Sequence, residues 1–176
     1  MRPPLPYEFM PPVPSFGLES DDIREGELIG HEHVYDKFGL TGKDRSPHLR
    51  WYGFPPQTRG FAVTCLDVDV LTGSGFWHWV LFDIPASVTE LPRGAGSGSM
   101  KGLPTGAVHA RNDTGAPGYL GPAPPPGHGD HRYVFAVHAL DLENLEVTPE
   151  VAPAIVGFNL TFHTLARAVM VPIYGR

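Results

Sequence analysis

The sequence has little cysteine, few basic residues and no long apolar run, and each shortage excludes a class of protein. Cys65 is the only cysteine, which excludes an intramolecular disulfide. The 13 basic residues are outnumbered by 19 acidic ones, and the net charge of -6 argues against a nucleic-acid partner, because neutralising phosphates needs a basic face. No run of about 18 apolar residues occurs, so we expect no membrane span. The amino terminus has no apolar stretch after a basic start, which favours a cytoplasmic protein without a signal peptide.

Glycine and proline are abundant instead, with 21 and 20 copies among 176 residues. This usage favours strands joined by many turns over long helices. A chain of this length fits one domain that buries about 70% of its extended-chain surface, which is enough for a hydrophobic core. Six prolines crowd residues 1–14 and predict an extended arm, which we expect to lie on its own domain because its aromatic side chains would otherwise be exposed. We therefore divide the chain into an arm, residues 1–17, and a domain, residues 18–176.

Short apolar runs bounded by turn residues predict about eight or nine strands. The clearest pair lies in residues 61–84, where two runs flank a Gly/Ser/Thr-rich loop. Residues 132–140 are apolar on both faces apart from Arg132 and His138, which is typical of a strand in the middle of a packed sheet. Further strands are predicted within residues 18–34, at 49–53 and at 167–174. The fold class that follows is mainly β, an antiparallel β-sandwich with one helix near the carboxyl terminus.

That helix is predicted to begin with Thr148 as its N-cap and Pro149 in its first position. Apolar residues recur after it at helical spacing, and this pattern indicates a face that packs on the core rather than a cofactor site. The residues of this predicted core stripe are Val151, Ile155, Phe158 and Phe162.

Acidic, imidazole and phenol side chains stand at predicted strand boundaries. Asp67 and Asp69 follow the first run of the clearest strand pair, and His78 begins its second run. His131 and Tyr133 begin the later apolar strand. At one end of a sheet, two imidazoliums, a hydroxyl and glycine N–H groups would suit a phosphate monoester or diester. A carboxylate neighbour should keep each imidazole protonated to higher pH, so affinity should weaken as the pH rises from about 5 to 8.

Two enzymatic interpretations stay open. His31 and His33 would lie on one face of a predicted strand as a metal pair, although two histidines need a further ligand and a solvated strand face is the plainer interpretation. The segment around Asp67 and Asp69 also resembles the start of haloacid-dehalogenase-type phosphatases, in which the first aspartate attacks phosphorus. That chemistry needs a lysine, a further acidic cluster and alternating strands and helices, which this chain does not offer. The alternative function that we keep open is a metal- or Asp-dependent phosphatase or hydrolase. A third possible function is that of a structural homodimer whose pocket is vestigial.

Three motifs follow one another in the predicted domain. They are the 61–84 strand pair with Trp77-His78-Trp79 in it, Gly121-Pro122 leading to His131-Arg132-Tyr133, and the ending Ile173-Tyr174-Gly175-Arg176. Together they resemble the bacterial form of the phosphatidylethanolamine-binding protein family, also called the Raf kinase inhibitor protein family. The resemblance runs from about residue 18 to residue 176. It implies a sandwich of antiparallel sheets with a small anion-binding pocket at one end.

The resemblance also implies a role for each site residue. Asp67, His78, His131 and Tyr133 would form the walls of the pocket. Gly121 and Pro122 would form its rim, and Asp69 would support the acidic loop. The family's acidic motif usually reads Asp-Pro-Asp-x-Pro, and here Val68 and Leu71 replace both prolines.

The function that we expect is a non-enzymatic binding protein for phosphate-bearing groups, such as a phospholipid head, a nucleotide or a phosphorylated side chain. An aspartate in such a site would hold the imidazoles or accept a hydrogen bond from a ligand amine or a protonated phosphate oxygen. By analogy with the family, kinase or protease partners are expected, and a homodimer is a further expectation. We expect no cofactor and no bound metal.

Overall fold

The computed structural model describes residues 2–176, and in that part of the chain nine strands and one α-helix form. In chain order the strands are β1 (Gly17–Glu19), β2 (Leu49–Tyr52), β3 (Gly60–Asp67), β4 (Phe76–Pro85), β5 (Glu90–Leu91), β6 (Val108–His109), β7 (His131–Leu140), β8 (Thr164–Met170) and β9 (Ile173–Tyr174). The helix, α1 (Pro153–His163), lies between β7 and β8, and two short 3₁₀ turns occupy Pro6–Glu8 and His31–His33.

The strands form two antiparallel sheets, which confirms the predicted mainly β sandwich. The larger sheet has the order β6-β4-β3-β7-β8, with β9 paired to the start of β7. The smaller sheet has the order β1-β2-β5. Every named strand pair is antiparallel, which suits a chain in which short turns rich in glycine and proline join the strands.

The strands β3 and β7 lie side by side in the middle of the larger sheet. All eight residues of β3 are buried, and in β7 only Arg132 is not. One face packs on the smaller sheet through side chains such as Phe61 and Trp51, and the other packs on α1 through Ala62 and its neighbours. Burying one such large apolar side chain contributes about 1.5–3 kcal/mol. Because both faces are covered, residues 133–140 are apolar on both faces apart from His138.

Helix α1 begins later than predicted and presents a different face to the core. The residue before a proline is disfavoured in the α region, so the helix starts at Pro153 with Ala152 as its N-cap, not at Thr148. Its buried residues are Pro153, Val156 and Leu160. Of the predicted core stripe, Val151 is half-buried against the core, but the other three positions are wrong: Ile155, Phe158 and Phe162 are 47%, 64% and 67% exposed. Among residues 2–176 no helix combines the length and apolar character that crossing a membrane requires.

The proline-rich arm lies on its own domain, as predicted. Arg132 donates a hydrogen bond to the carbonyl oxygen of Pro3 (2.7 Å), and the Arg167 backbone N–H donates to the carbonyl oxygen of Pro14 (2.9 Å). The Tyr7 ring stacks under the Arg167 guanidinium, and the distance from the Arg167 guanidinium carbon to the ring centroid is 4.0 Å. The arm therefore covers the side of β7 and β8 that neighbours α1.

Candidate functional site

Antiparallel pairing brings the predicted site residues to one end of the larger sheet. Asp67 is the last residue of β3, and its partner in register on β7 is Tyr133, two residues after His131. His78 stands near the start of β4, the other neighbour of β3. The end of one strand thus meets the start of both its neighbours, because all three run antiparallel.

Asp67 and His131 form a buried pair at this end. The Asp67 Oδ2 to His131 Nδ1 distance is 2.7 Å, and the exposed fractions of the two residues are 3% and 2%. The other carboxylate oxygen, Oδ1, accepts the backbone N–H groups of Asp69 (2.9 Å) and Val70 (3.1 Å). Since an ionised carboxylate can only accept, the His131 proton sits on Nδ1 and the ring orientation is fixed.

His78 is held by the segment that passes over β4. Its Nδ1 donates to the carbonyl oxygen of Leu120 (2.8 Å), and the Leu120 N–H donates to the His78 carbonyl oxygen (2.9 Å). Burial lowers the pKa of His78, and the Leu120 carbonyl and the Asp67 charge oppose this without reversing it. The predicted rise in the His78 pKa is therefore wrong. The ring is neutral near pH 7, and its Nε2 is a hydrogen-bond acceptor.

Tyr133 supplies a fully buried hydroxyl group that makes no well-formed hydrogen bond among residues 2–176, although the Asp67 side chain lies near enough to contribute to the rise in its pKa. Burial, and after it the Asp67 charge, raise the pKa of Tyr133, so the hydroxyl stays protonated and remains a donor. The Tyr133 ring meets the His78 ring edge-on, with 5.2 Å between their centroids. An unmade buried hydrogen bond costs about 1–3 kcal/mol, so this group would gain from an acceptor brought by a ligand or water.

A cleft of about 190 Å³ opens at these residues. Asp67 and His78 line it, whereas His131 and Tyr133 do not and instead contact those two residues. The remaining wall is largely apolar and aromatic. It consists of Tyr35, Phe38, Val70, Phe76, Thr114, Leu120, Ala123, Pro124 and Pro125.

Gly121 and Pro122 are buried and fix the segment that forms one wall of this cleft. The Gly121 N–H donates to Asp44 Oδ1 (2.6 Å), and the carbonyl oxygen of Pro122 accepts the Tyr35 N–H (3.2 Å). A Cβ atom on Gly121 would lie 2.4 Å from the Tyr35 nitrogen and 2.5 Å from the His33 carbonyl oxygen. Only glycine fits there, and the neighbouring Leu120 and residues 123–125 reach the cleft in its place.

Asp69 is paired with Arg132 and does not line the cleft. Its two carboxylate oxygens accept from Arg132 Nε and from a terminal guanidinium nitrogen, both at 2.8 Å, and from the Arg132 backbone N–H at 2.9 Å. Burial alone would raise the Asp69 pKa, but these bonds and the Arg132 charge lower it overall. Together with the two N–H bonds to Asp67, they hold the acidic loop in which Val68 and Leu71 replace the prolines. A groove of about 620 Å³ beside that loop has Asp69 as its one charged lining residue, and Arg132 already neutralises it.

Sequence patterns did not point to Asp44 or to the aromatic wall. Burial raises the pKa of Asp44 to about 6, although the Gly121 N–H opposes the rise. Asp44 lies in a polar loop 77 residues from Gly121, and nothing in the spacing marks it as a partner. Tyr35, Phe38 and Phe76 looked like ordinary apolar positions.

The strand predicted at His31 and His33 is wrong, because His31–His33 is a 3₁₀ turn, and the alternative of a metal pair on one strand face loses its geometry with it. The two rings diverge: His31 Nε2 lies 3.1 Å from the Thr41 hydroxyl, and His33 Nδ1 lies 2.8 Å from the Arg45 carbonyl oxygen. Within the described part of the chain, no group of three or more His, Cys, Asp or Glu side chains is arranged to hold a metal ion.

Comparisons with known proteins cover almost the whole chain. The family model described as phosphatidylethanolamine-binding protein matches residues 19–175. YbhB of Escherichia coli K12 is 46% identical over 158 residues, which are 90% of this chain and 99% of YbhB. YbcL of the same organism is 44% identical over 160 residues, covering 91% of this chain and 87% of YbcL. The crystal structure of E. coli YbcL, described as a new member of the mammalian PEBP family, matches 92% of this chain and 99% of its own, with a TM-score of 0.89 and 43% identity.

Proposed function

The chain belongs to the phosphatidylethanolamine-binding protein family, and on that premise we propose that it binds phosphate-bearing groups in the Asp67–His78 cleft without transforming them. The observation that carries the proposal is the buried Asp67–His131 pair, 2.7 Å apart, beside a neutral His78 and an unpartnered Tyr133 hydroxyl. Asp67 and His78 line the base of an otherwise apolar cleft, and His131 and Tyr133 are buried directly behind them.

The chemistry of the set favours a phosphate that still carries a proton or an ammonium group. His78 Nε2 is an acceptor and needs a donor on the ligand. The Asp67 carboxylate already accepts from His131, Asp69 and Val70 and has room for one further donor. The buried Tyr133 hydroxyl behind them is a donor, and a phosphate oxygen at the base of the cleft would give it an acceptor. A protonated phosphate monoester, or phosphoethanolamine with its ammonium group, offers both kinds of group at once. His78 therefore enters the site as a neutral acceptor and not as the predicted imidazolium.

The apolar wall suits the part of the ligand next to the phosphate. Tyr35, Phe38 and Phe76 can cover an acyl glycerol stem, a nucleoside or a peptide segment. A phospholipid head, a nucleotide and a phosphorylated side chain share the phosphate, which is the group that the polar base would hold. By analogy with the family, the proposal includes a kinase or protease as the protein partner.

The test is a calorimetric titration of the wild-type protein, Asp67→Asn and Asp141→Asn with phosphoethanolamine. Asp141 is exposed and lies at the far end of β7, so Asp141→Asn is the matched control. Losing a charged acceptor should weaken binding by about tenfold or more in Asp67→Asn, and the control should stay at the wild-type value. Equal affinity in all three proteins would contradict the proposed site.

The same proteins separate binding from catalysis. With a chromogenic phosphate ester as substrate, we expect no turnover above that of the buffer. Turnover by the wild type that disappears in Asp67→Asn would overturn the non-enzymatic proposal in favour of an Asp-dependent phosphatase.

A further inference from the structure

Arg167, on β8, is a buried cation without a counterion. Only 7% of its surface is exposed, and no carboxylate lies within salt-bridge distance of it in residues 2–176. Its Nε lies 3.4 Å from His138 Nδ1, and neither terminal guanidinium nitrogen has a hydrogen-bond partner among those residues. Its other contact is the face of the Tyr7 ring, 4.0 Å from the guanidinium carbon.

Neither neighbour balances the charge. A cation–π contact with a tyrosine stabilises the guanidinium but brings no negative charge. The unpartnered terminal nitrogens of Arg167 are not fully buried, and Arg167 lines the neighbouring cavity. His138 is neutral, because burial and then the Arg167 charge lower its pKa to about 3. The His138 ring is occupied on both sides by the hydroxyl groups of Tyr7, Thr64 and Thr164 at 3.3–3.5 Å. The guanidinium is therefore positioned by the fold and left without an anion.

A cavity of about 370 Å³ lies against this group, between the amino-terminal arm and α1. Arg167 and His138 provide its polar end. The rest is mostly apolar, with Pro6, Met10, Trp77, Phe158 and Leu160 among the lining residues. It shares no lining residue with the Asp67–His78 cleft. Such a mostly apolar cavity with one convergent charge has the composition of a small-molecule site.

We propose that this cavity is a second binding site, for a small amphipathic anion whose charged group pairs with Arg167 and whose apolar body lies between the arm and α1. The guanidinium presents its free N–H donors in one plane, which suits a carboxylate or a phosphate oxygen pair. The aromatic and aliphatic walls suit a compact aryl or branched alkyl body. The site is independent of the phosphate cleft and survives the failure of that proposal.

The test compares 4-phenylbutyrate with uncharged 4-phenylbutanol by calorimetry on the full-length protein. The affinity of the wild type for the carboxylate should be about tenfold higher than for the alcohol, because only the carboxylate forms a charge-assisted hydrogen bond with Arg167. Arg167→Gln should lose this preference while its affinity for the alcohol stays within about twofold. A wild-type protein that binds both ligands equally, or binds neither, contradicts the proposal, as does an Arg167→Gln variant that keeps the preference.

A second variant covers the case in which Arg167→Gln does not fold. Phe158 lines the cavity but is 64% exposed, so Phe158→Ala leaves the core intact. Phe158→Ala should lower the affinity for both ligands by about threefold to tenfold, because apolar contact is lost, and should preserve the preference for the carboxylate. Unchanged affinities in Phe158→Ala would place the ligand elsewhere and overturn the assignment of this cavity.

Discussion

At the scale of single residues, the chemistry of the cleft depends on which groups are satisfied before a ligand arrives. Asp67 and His131 satisfy each other, whereas the Tyr133 hydroxyl is buried without a partner. Sequence patterns located all three, because they stand where strands end. The patterns gave the wrong direction for the pKa of His78, because they reveal neither the burial that lowers it nor the Leu120 carbonyl, 42 residues away, that accepts its Nδ1–H.

Tyr133→Phe separates a binding role from a structural one. Because the hydroxyl has no partner, its removal should leave the free energy of unfolding unchanged or raise it by about 1 kcal/mol. Affinity for phosphoethanolamine should fall by roughly threefold to tenfold, the value of one neutral hydrogen bond. The matched control is Tyr119→Phe, because the buried Tyr119 hydroxyl donates to the His33 carbonyl oxygen at 2.8 Å, and its loss should cost about 1–3 kcal/mol. Urea unfolding measures the free energy of unfolding, and calorimetry measures the affinity. A Tyr133→Phe variant that is destabilised but binds phosphoethanolamine normally would refute the binding role of the hydroxyl.

Asp44 should make stability depend on pH. Its pKa is raised to about 6 in the folded protein from an ordinary 3.8, so between these values the folded state binds more protons and stability falls as the pH rises. Asp44→Asn keeps an oxygen for the Gly121 N–H and removes the charge. We expect it to be more stable than the wild type by about 1 kcal/mol at pH 7.5, after allowing for partial exposure, and equal to it near pH 4.

Urea unfolding at both pH values measures this difference, with Glu150→Gln as the exposed control. A variant that is less stable than the wild type at pH 7.5 would show that the carboxylate helps the fold, against the direction of the Asp44 pKa.

At the scale of elements, the long strands could be predicted, and the short strands and the helix only in part. The β3, β4 and β7 runs are long, apolar and rich in β-branched or aromatic residues, so their positions follow from composition. Two stripes with the same spacing occur on α1, and the sequence does not say which one faces the sheet. The smaller side chains, Val156 and Leu160, pack inward, and the larger Phe158 and Phe162 stay outside.

The segment at Gly121 is the element on which the cleft wall depends. Gly121→Ala would place a Cβ atom against the backbone at Tyr35 and His33, so we expect a loss of about 1–3 kcal/mol in unfolding free energy. Gly30→Ala is the matched control, because its Cβ would meet nothing within 4 Å and its φ is -69°. Urea denaturation of both variants checks the contrast. Equal stabilities would mean that this close approach does not constrain the segment.

At the scale of the whole molecule, the two-sheet architecture was predictable and its assembly was not. Apolar runs and turn residues predict a β-sandwich, and the family motifs support the same fold. The contacts that build the cleft join residues far apart in the chain: Asp67 with His131, 64 residues on, and Gly121 with Asp44, 77 residues back. No local pattern encodes such pairings, and the Arg167 cavity likewise depends on an arm more than 150 residues away in sequence.

The central claim, that phosphate-bearing groups bind at the Asp67–His78 cleft, is tested most directly by histidine proton NMR during a phosphoethanolamine titration. The chain has nine histidines, and replacing single ones assigns their ring resonances. The account predicts saturable shifts for His78 and His131 and none for the distant His138 and His163. Shifts confined to other histidines, or no saturable shift at His78 and His131, would contradict it.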